Sequence, residues 1–102
     1  DWSGVDRDAA VGFVLRCRSY DGAVALMPGQ EGHGGSTFCA IASLVLMGRL
    51  DSAFAREPRW RDDLLRWCAS RQCSPDAGDD NYSGGMQGRP NKLEDTCYSY
   101  WV

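Results

Sequence analysis

Residues 82–102 read "YSGGMQGRPNKLEDTCYSYWV". Laid without gaps on residues 20–40, "YDGAVALMPGQEGHGGSTFCA", the stretch puts Tyr82 on Tyr20, Gly84 on Gly22 and Pro90 on Pro28. Ser99 falls on Thr37, and Tyr100 on Phe38. Three identities are a weak signal alone. The register gains force because a glycine-rich loop gives way to an apolar helix pattern at the same place in both copies. His33 then matches Asp95, Gly35 matches Cys97, and Cys39 matches Trp101. The polar residues at the two helix entrances become spatial equivalents in neighbouring repeat units.

Helical periodicity outside these loops completes the repeat. A first helix is expected from about Val5 to Arg18, with Val5, Ala9, Phe13, Val14 and Cys17 on one stripe. A second runs from about Thr37 to Gly48 and is apolar nearly all round, so it must be covered on several sides. A third follows Pro58, where Trp60, Leu64, Trp67, Cys68 and Arg71 recur at helical spacing. A fourth begins near Glu94 and carries Tyr98, Tyr100, Trp101 and Val102. The best strand candidate, "GAVAL" at 22–26, is short. Amphipathic and apolar helices alternate, which predicts an all-α fold: an arc of an α/α toroid with amphipathic helices outside and apolar helices inside. Two helical hairpins fit in 102 residues, and the last helix pattern runs into Val102. The expectation is that residues 1–102 are a fragment of one longer barrel domain.

Bulk properties exclude some functions. The net charge of −3 lacks the broad basic field that nucleic acid requires. The longest apolar run, Phe38 to Met47, is interrupted by Ser43 and reads as a buried helix, so membrane insertion is not expected. No basic-apolar-small leader is visible. The five cysteines, at 17, 39, 68, 73 and 97, are odd in number and lie mostly in helical patterns. They read as small buried hydrophobes in a reducing compartment, the cytoplasm.

The chemistry gathers at the helix entrances. Arg89 and Lys92 flank Pro90 and Asn91, and His33 with Gly34 and Gly35 occupies the matching place in the other copy. A helix N-terminus offers free N–H groups, and glycines let an anion approach the backbone. With a planar guanidinium and a point charge added, the set suits a phosphate or diphosphate. The plainer reading of "RPNK" is a solvated loop with two surface cations. Asp95-Thr96-Cys97 offers a carboxylate and a thiolate, an acceptable zinc pair if the backbone at the entrance lets them converge. The plainer reading is an Asp N-cap beside a buried Cys. His33, the chain's single histidine, is a tempting third ligand. Tyr98, Tyr100 and Trp101, with Phe38 and Cys39 from the other copy, would line an inner wall around a long apolar ligand. Plain core packing is the alternative.

Three stretches carry a resemblance: "EGHGGSTFCAIASLVLMG" (31–48), "LLRWCASRQ" (64–72) and "GGMQGRPNKLEDTCYSYWV" (84–102). They look like the β subunit of protein prenyltransferases. "HGGSTF", "GRPNK" and "DTC" look most like the geranylgeranyltransferase type I β subunit; the farnesyltransferase resembles it with an aromatic where Ser36 stands. The resemblance implies a six-hairpin α/α barrel and a heterodimer with a prenyltransferase α subunit. It also implies zinc (Zn2+) as cofactor, a prenyl diphosphate donor, and acceptor proteins ending in a CaaX-type motif. It places His33, Arg89, Lys92 and Tyr98 around the diphosphate, with Gly34, Gly35, Pro90, Asn91, Ser99 and Tyr100 in the same binding segments. Asp95 and Cys97 become zinc ligands, the third being a histidine outside this chain. Cys39 and Trp101 would contact the isoprenoid. Asp95, Cys97 and Tyr98 carry the catalytic roles. The acidic stretch 74–81 departs from the shorter loop the family leads one to expect. Three other readings remain: a farnesyltransferase, a cyclase on the same toroid, and a non-catalytic helical scaffold. The cyclase would show an acidic proton-donor motif and no zinc pair; the scaffold would hold neither zinc nor prenyl diphosphate.

Overall fold

The computed structural model describes residues 1–74 and 84–102. Among the described residues five helices follow one another: α1 Arg7–Arg16, α2 Gly34–Leu46, α3 Leu50–Arg56, α4 Trp60–Ala69 and α5 Tyr98–Trp101. Among the described residues there is no β-sheet, only isolated backbone bridges such as Arg18 with Val24 and Gln72 with Met86. No single helix there is long and apolar enough to cross a membrane.

Helix boundaries follow the caps. Asp6, in extended backbone, accepts the Ala9 amide at 2.9 Å, so α1 starts at Arg7 and leaves Val5 outside. The stripe expected for α1 is corrected. Val11 and Leu15 are its buried residues, whereas Phe13 is 45% exposed and opens onto a cavity described below. His33 caps α2, which therefore begins three residues before the expected Thr37. The second helix is covered on one side only: its own Thr37, Ala40 and Leu44 are buried, while Val45 and Leu46 are exposed. Helix α3 was not expected. Leu50, Ala53 and Phe54 turn one face to the core over only seven residues, too short for a periodic signal. Helix α5 starts at Tyr98 and not near Glu94, because Glu94 forms a backbone bridge with Gln87.

The first loop is pinned between helices. Trp60 Nε1 donates to Gly22 O at 2.9 Å. Gly22 takes φ +101° there, and a Cβ on it would lie 2.5 Å from the Asp63 carbonyl carbon, so only glycine fits. Val24 N donates to Thr37 Oγ1 at 2.9 Å, and Ser36 Oγ donates to Val24 O at 2.7 Å. Cys17, Val24 and Leu44 fill the centre of this unit.

The repeat holds atom by atom. Ala25 N donates to Cys17 O and Gln87 N to Arg71 O, both at 2.9 Å. Ser19 N to Ala23 O and Cys73 N to Gly85 O are likewise both 2.9 Å. Residues after the loop (23, 24, 25) match at an offset of 62, and those before it (17, 18, 19) at 54. The difference of eight is the length of the acidic stretch 74–81, which is therefore the extra length in the second copy. Residues 75–83 lie outside the described residues, and so does most of that stretch.

Candidate functional site

The two helix entrances meet through backbone and side chain. Gly34 N donates to Gly88 O at 2.8 Å. His33 Nδ1 accepts the Gly35 amide at 3.0 Å, and His33 Nε2 lies 2.8 Å from Tyr98 Oη. Because Nδ1 accepts, it carries no proton in the neutral ring. Nε2 therefore donates, and Tyr98 Oη receives. The phenolic hydrogen is left for another acceptor. Gly34 and Gly35, expected to offer their amides to an anion, do not: both N–H groups are already spent on Gly88 and His33. Their role is packing. A Cβ on Gly34 would lie 2.8 Å from Val102 Cγ2 and 3.0 Å from Tyr98 Cδ1.

Around Tyr98 opens a recess of about 540 Å3, lined by His33, Gly88, Arg89, Asn91, Lys92, Leu93, Glu94, Asp95 and Tyr98. The loop that carries the cations is braced by Gln87 Nε2, which donates to Lys92 O at 3.0 Å. Asn91 turns it at φ +64°, a left-handed conformation that Asn tolerates better than most residues. Arg89 Nη1 donates to Glu31 Oε2 at 2.7 Å, a partner the sequence did not suggest. The Lys92 ammonium shows no ion pair among the described residues. Pro90, Ser99 and Tyr100 line neither this recess nor the apolar cavity beside it. For Ser99 and Tyr100 the reason is helical spacing: Tyr98 and Trp101 share a face of α5, and the other two point elsewhere.

Asp95 and Cys97 converge at the entrance of α5. Cys97 N donates to Asp95 Oδ1 at 3.0 Å, which holds the thiol beside the same carboxylate. The Cys97 amide, then its thiol, hold the Asp95 carboxyl below its ordinary range. Asp95 in turn pushes the Cys97 thiol up. Both side chains are exposed. A hard carboxylate and a soft thiol side by side fit a zinc ion that takes further donors from elsewhere. No group of three His, Cys, Asp or Glu side chains suited to a metal occurs among the described residues. His33 is occupied at both ring nitrogens. The bond between Asp95 and Cys97 repeats the one between His33 and Gly35, with the same 3.0 Å separation.

On the other side of His33 lies an apolar cavity of about 450 Å3. Cys39 and Trp101 stand in its wall, as do Ser36, Leu26, and Phe13, Val14 and Cys17 of the α1 end. Burial pushes the Cys17 thiol up, so it stays a neutral wall group. Phe38 packs on Trp101 (4.7 Å) and Tyr100 (5.4 Å) between centroids, behind that wall. The sequence missed Gly88, Glu31 and Phe13. Gly88 matches Leu26 in the repeat register, so the repeat gave no hint of it. A Cβ on Gly88 would fall 2.3 Å from Tyr98 Cζ.

A helical repeat with these two adjoining chambers defines a class: the chain belongs to the prenyltransferase alpha-alpha toroid domain family, whose model matches residues 1–102. Among curated proteins, it is similar to the geranylgeranyl transferase type-1 subunit beta of Arabidopsis thaliana, 44% identical over 99% of this chain and 26% of the relative. The Dictyostelium discoideum protein of the same name is 40% identical over 100% of the chain and 25% of the relative. The protein farnesyltransferase subunit beta of Pisum sativum is 42% identical over 87% and 18%. Among solved structures, Candida albicans protein geranylgeranyltransferase-I complexed with GGPP matches with a TM-score of 0.76 and 32% identity, over 95% of this chain and 27% of that one. The chain thus spans about a quarter of the length of the type-1 relatives it matches.

Proposed function

We propose that this chain is part of the β subunit of a zinc-dependent protein geranylgeranyltransferase of type I. It would act with an α subunit to transfer a prenyl group from geranylgeranyl diphosphate to the cysteine of a C-terminal CaaX-type motif. The observation that carries the reading is that His33 lines both the cationic recess and the apolar cavity. One ligand with an anionic head and an apolar tail fits across it. Ser36 supports the longer donor: its small side chain, folded back on Val24 O, takes less of the cavity than an aromatic at that position would. The five free cysteines support a reducing compartment, the cytoplasm.

Asp95 and Cys97 would hold the zinc, together with a donor from outside residues 1–102. When bound there, zinc supplies a lowered pKa for the acceptor thiol. The acceptor sulfur, its proton lost to solvent, forms a bond to the first carbon of the allylic donor. The carbon–oxygen bond breaks and the diphosphate leaves with the electron pair. Arg89, Lys92 and the phenolic hydrogen of Tyr98 meet the charge that grows on it. Cys39 and Trp101 hold the tail in line.

The test uses the full-length protein with its α-type partner. Lys92→Ala or Arg89→Ala should weaken donor binding about tenfold to a hundredfold, the value of one charge-assisted hydrogen bond. Unchanged donor affinity in both, with zinc retained, restores the reading of "RPNK" as surface cations and favours a non-catalytic scaffold. Preference for farnesyl over geranylgeranyl diphosphate in the parent protein selects the farnesyltransferase reading.

A further inference from the structure

Glu31 has no task in the reaction derived above, yet it makes the 2.7 Å contact to Arg89. The pair joins two loops 58 residues apart. With both side chains nearly half exposed, it contributes little to stability. Its placement is more telling. Arg89 lines the anion recess and also a second recess on its far side, formed with Glu31, Gln30 and Leu26. Glu31 lines only the second. Arg89 is thus shared by both recesses, while its carboxylate partner belongs to the second alone.

Both backbones are fixed where the pair forms. Gly88, next to Arg89, accepts the Gly34 amide. Gly32, next to Glu31, is pressed on the first loop so closely that a Cβ would lie 2.3 Å from Ala23 Cβ and 2.7 Å from Ser19 Oγ. His33 N donates to Val24 O at 3.3 Å. A carboxylate on so rigid a base is a firm anchor for a long, otherwise mobile side chain. Resting on the function proposed above, we propose that Glu31 is a positioning residue: it holds the Arg89 guanidinium aimed at the diphosphate before the donor arrives. Preorganised charge of this kind counts most where charge develops in the reaction.

The experiment is a double-mutant cycle in the full-length protein with its α-type partner. Glu31→Gln should lower kcat/KM for the prenyl diphosphate about three- to tenfold, the cost of ordering one long side chain anew. Binding of the corresponding prenyl alcohol, which has no diphosphate, should not change, and Glu31→Asp should recover part of the loss. Added to Arg89→Ala, Glu31→Gln should do nothing further. Unchanged or faster turnover in Glu31→Gln overturns the proposal, as does an equal loss in the Arg89→Ala background, which marks a general structural effect. Should Arg89→Ala itself leave donor binding and turnover unaltered, the diphosphate reading fails, and that result is distinct from a silent Glu31→Gln beside a damaging Arg89→Ala.

Discussion

The entrances of α2 and α5 share one local bond, although α5 starts two residues later in the repeat register and has no side-chain cap of its own. Each begins with a residue whose side chain accepts the amide two positions on, at 3.0 Å. Each follows a loop tied to the preceding helix end by matching backbone bonds. Around this shared frame the surroundings diverge. At α2 the frame is embedded: Gly34 and Thr37 are buried, and Val24, Ser36 and Thr37 bond to one another. At α5, Asp95, Thr96 and Cys97 are exposed. The comparison teaches a division of labour. The repeat supplies a side-chain-to-amide bond that fixes two residues relative to each other. Which two residues stand there decides whether the entrance packs or carries chemistry.

The sharpest way to break the comparison is to keep the shared bond and remove the chemistry. Cys97→Ala and Asp95→Asn, in the full-length protein with its partner subunit, both leave an acceptor or an amide for that bond. The fold should survive, judged by circular dichroism and melting. Transfer should fall roughly a thousandfold or more, since several kcal/mol of metal assistance is lost. Donor affinity, measured by titration with a fluorescent prenyl diphosphate, should hold. Donor affinity that collapses together with zinc content removes the division of roles.

The converse exchange is His33→Asp, which writes the α5 residue into the α2 entrance. The cap bond can form, but Tyr98 loses its donor and a carboxylate enters the recess that holds Arg89 and Lys92. Donor affinity should drop by about a hundredfold, because a like charge at close range opposes a multiply charged anion. Melting should change little. A variant that binds donor normally would show that the recess is not the diphosphate site.

How much of this was legible beforehand follows the same division. The fold was legible because the repeat register and the alternation of helix types are properties of side-chain order. Asp95, Cys97, Arg89, Lys92 and Tyr98 could be singled out as candidates because few residue types offer such chemistry. Helix α3 was hidden by its seven residues. Gly34 and Gly35 were misjudged because composition cannot tell a free amide from one already bonded. Glu31 and Gly88 were invisible for a related reason. Their importance lies in what they touch across 58 and 10 residues of chain, and neither distance is a helical or strand period.

Gly88→Ala sharpens the comparison at the seam between the two entrances. The added Cβ would meet Tyr98 Cζ at 2.3 Å and Oη at 2.7 Å, so the ring must move off His33. Overpacking of this kind costs about 1–3 kcal/mol, and donor affinity should fall about tenfold as the Tyr98 hydroxyl is displaced. Gly12→Ala, in the middle of α1 with only Arg16 Nη1 nearby at 3.5 Å, is the control. It should raise the melting temperature slightly, since Ala outranks Gly in a helix by about 0.5–1 kcal/mol. Equal behaviour of the two variants would mean that Tyr98 does not depend on the bare Gly88 surface.

The smallest expected effect concerns the bond that makes the α5 entrance different. In protein stripped of metal by chelation, the Cys97 thiol stands beside the Asp95 carboxylate, and that negative charge disfavours a second one on sulfur. The thiol is therefore shifted up, and less thiolate is present at a given pH. Asp95→Asn removes the charge while leaving an acceptor for the Cys97 amide. The thiolate then forms at lower pH, so the alkylation profile should move toward acid, with the rate at pH 7.5 rising several-fold. At high pH, where both proteins hold the thiolate, the rates should converge. Iodoacetamide labelling read by mass spectrometry separates the Cys97 peptide from the others, and exposed Cys39 serves as an internal standard. A profile that stays in place, or moves toward alkali, would show that the carboxylate does not govern the thiol. The two entrances would then differ in exposure alone.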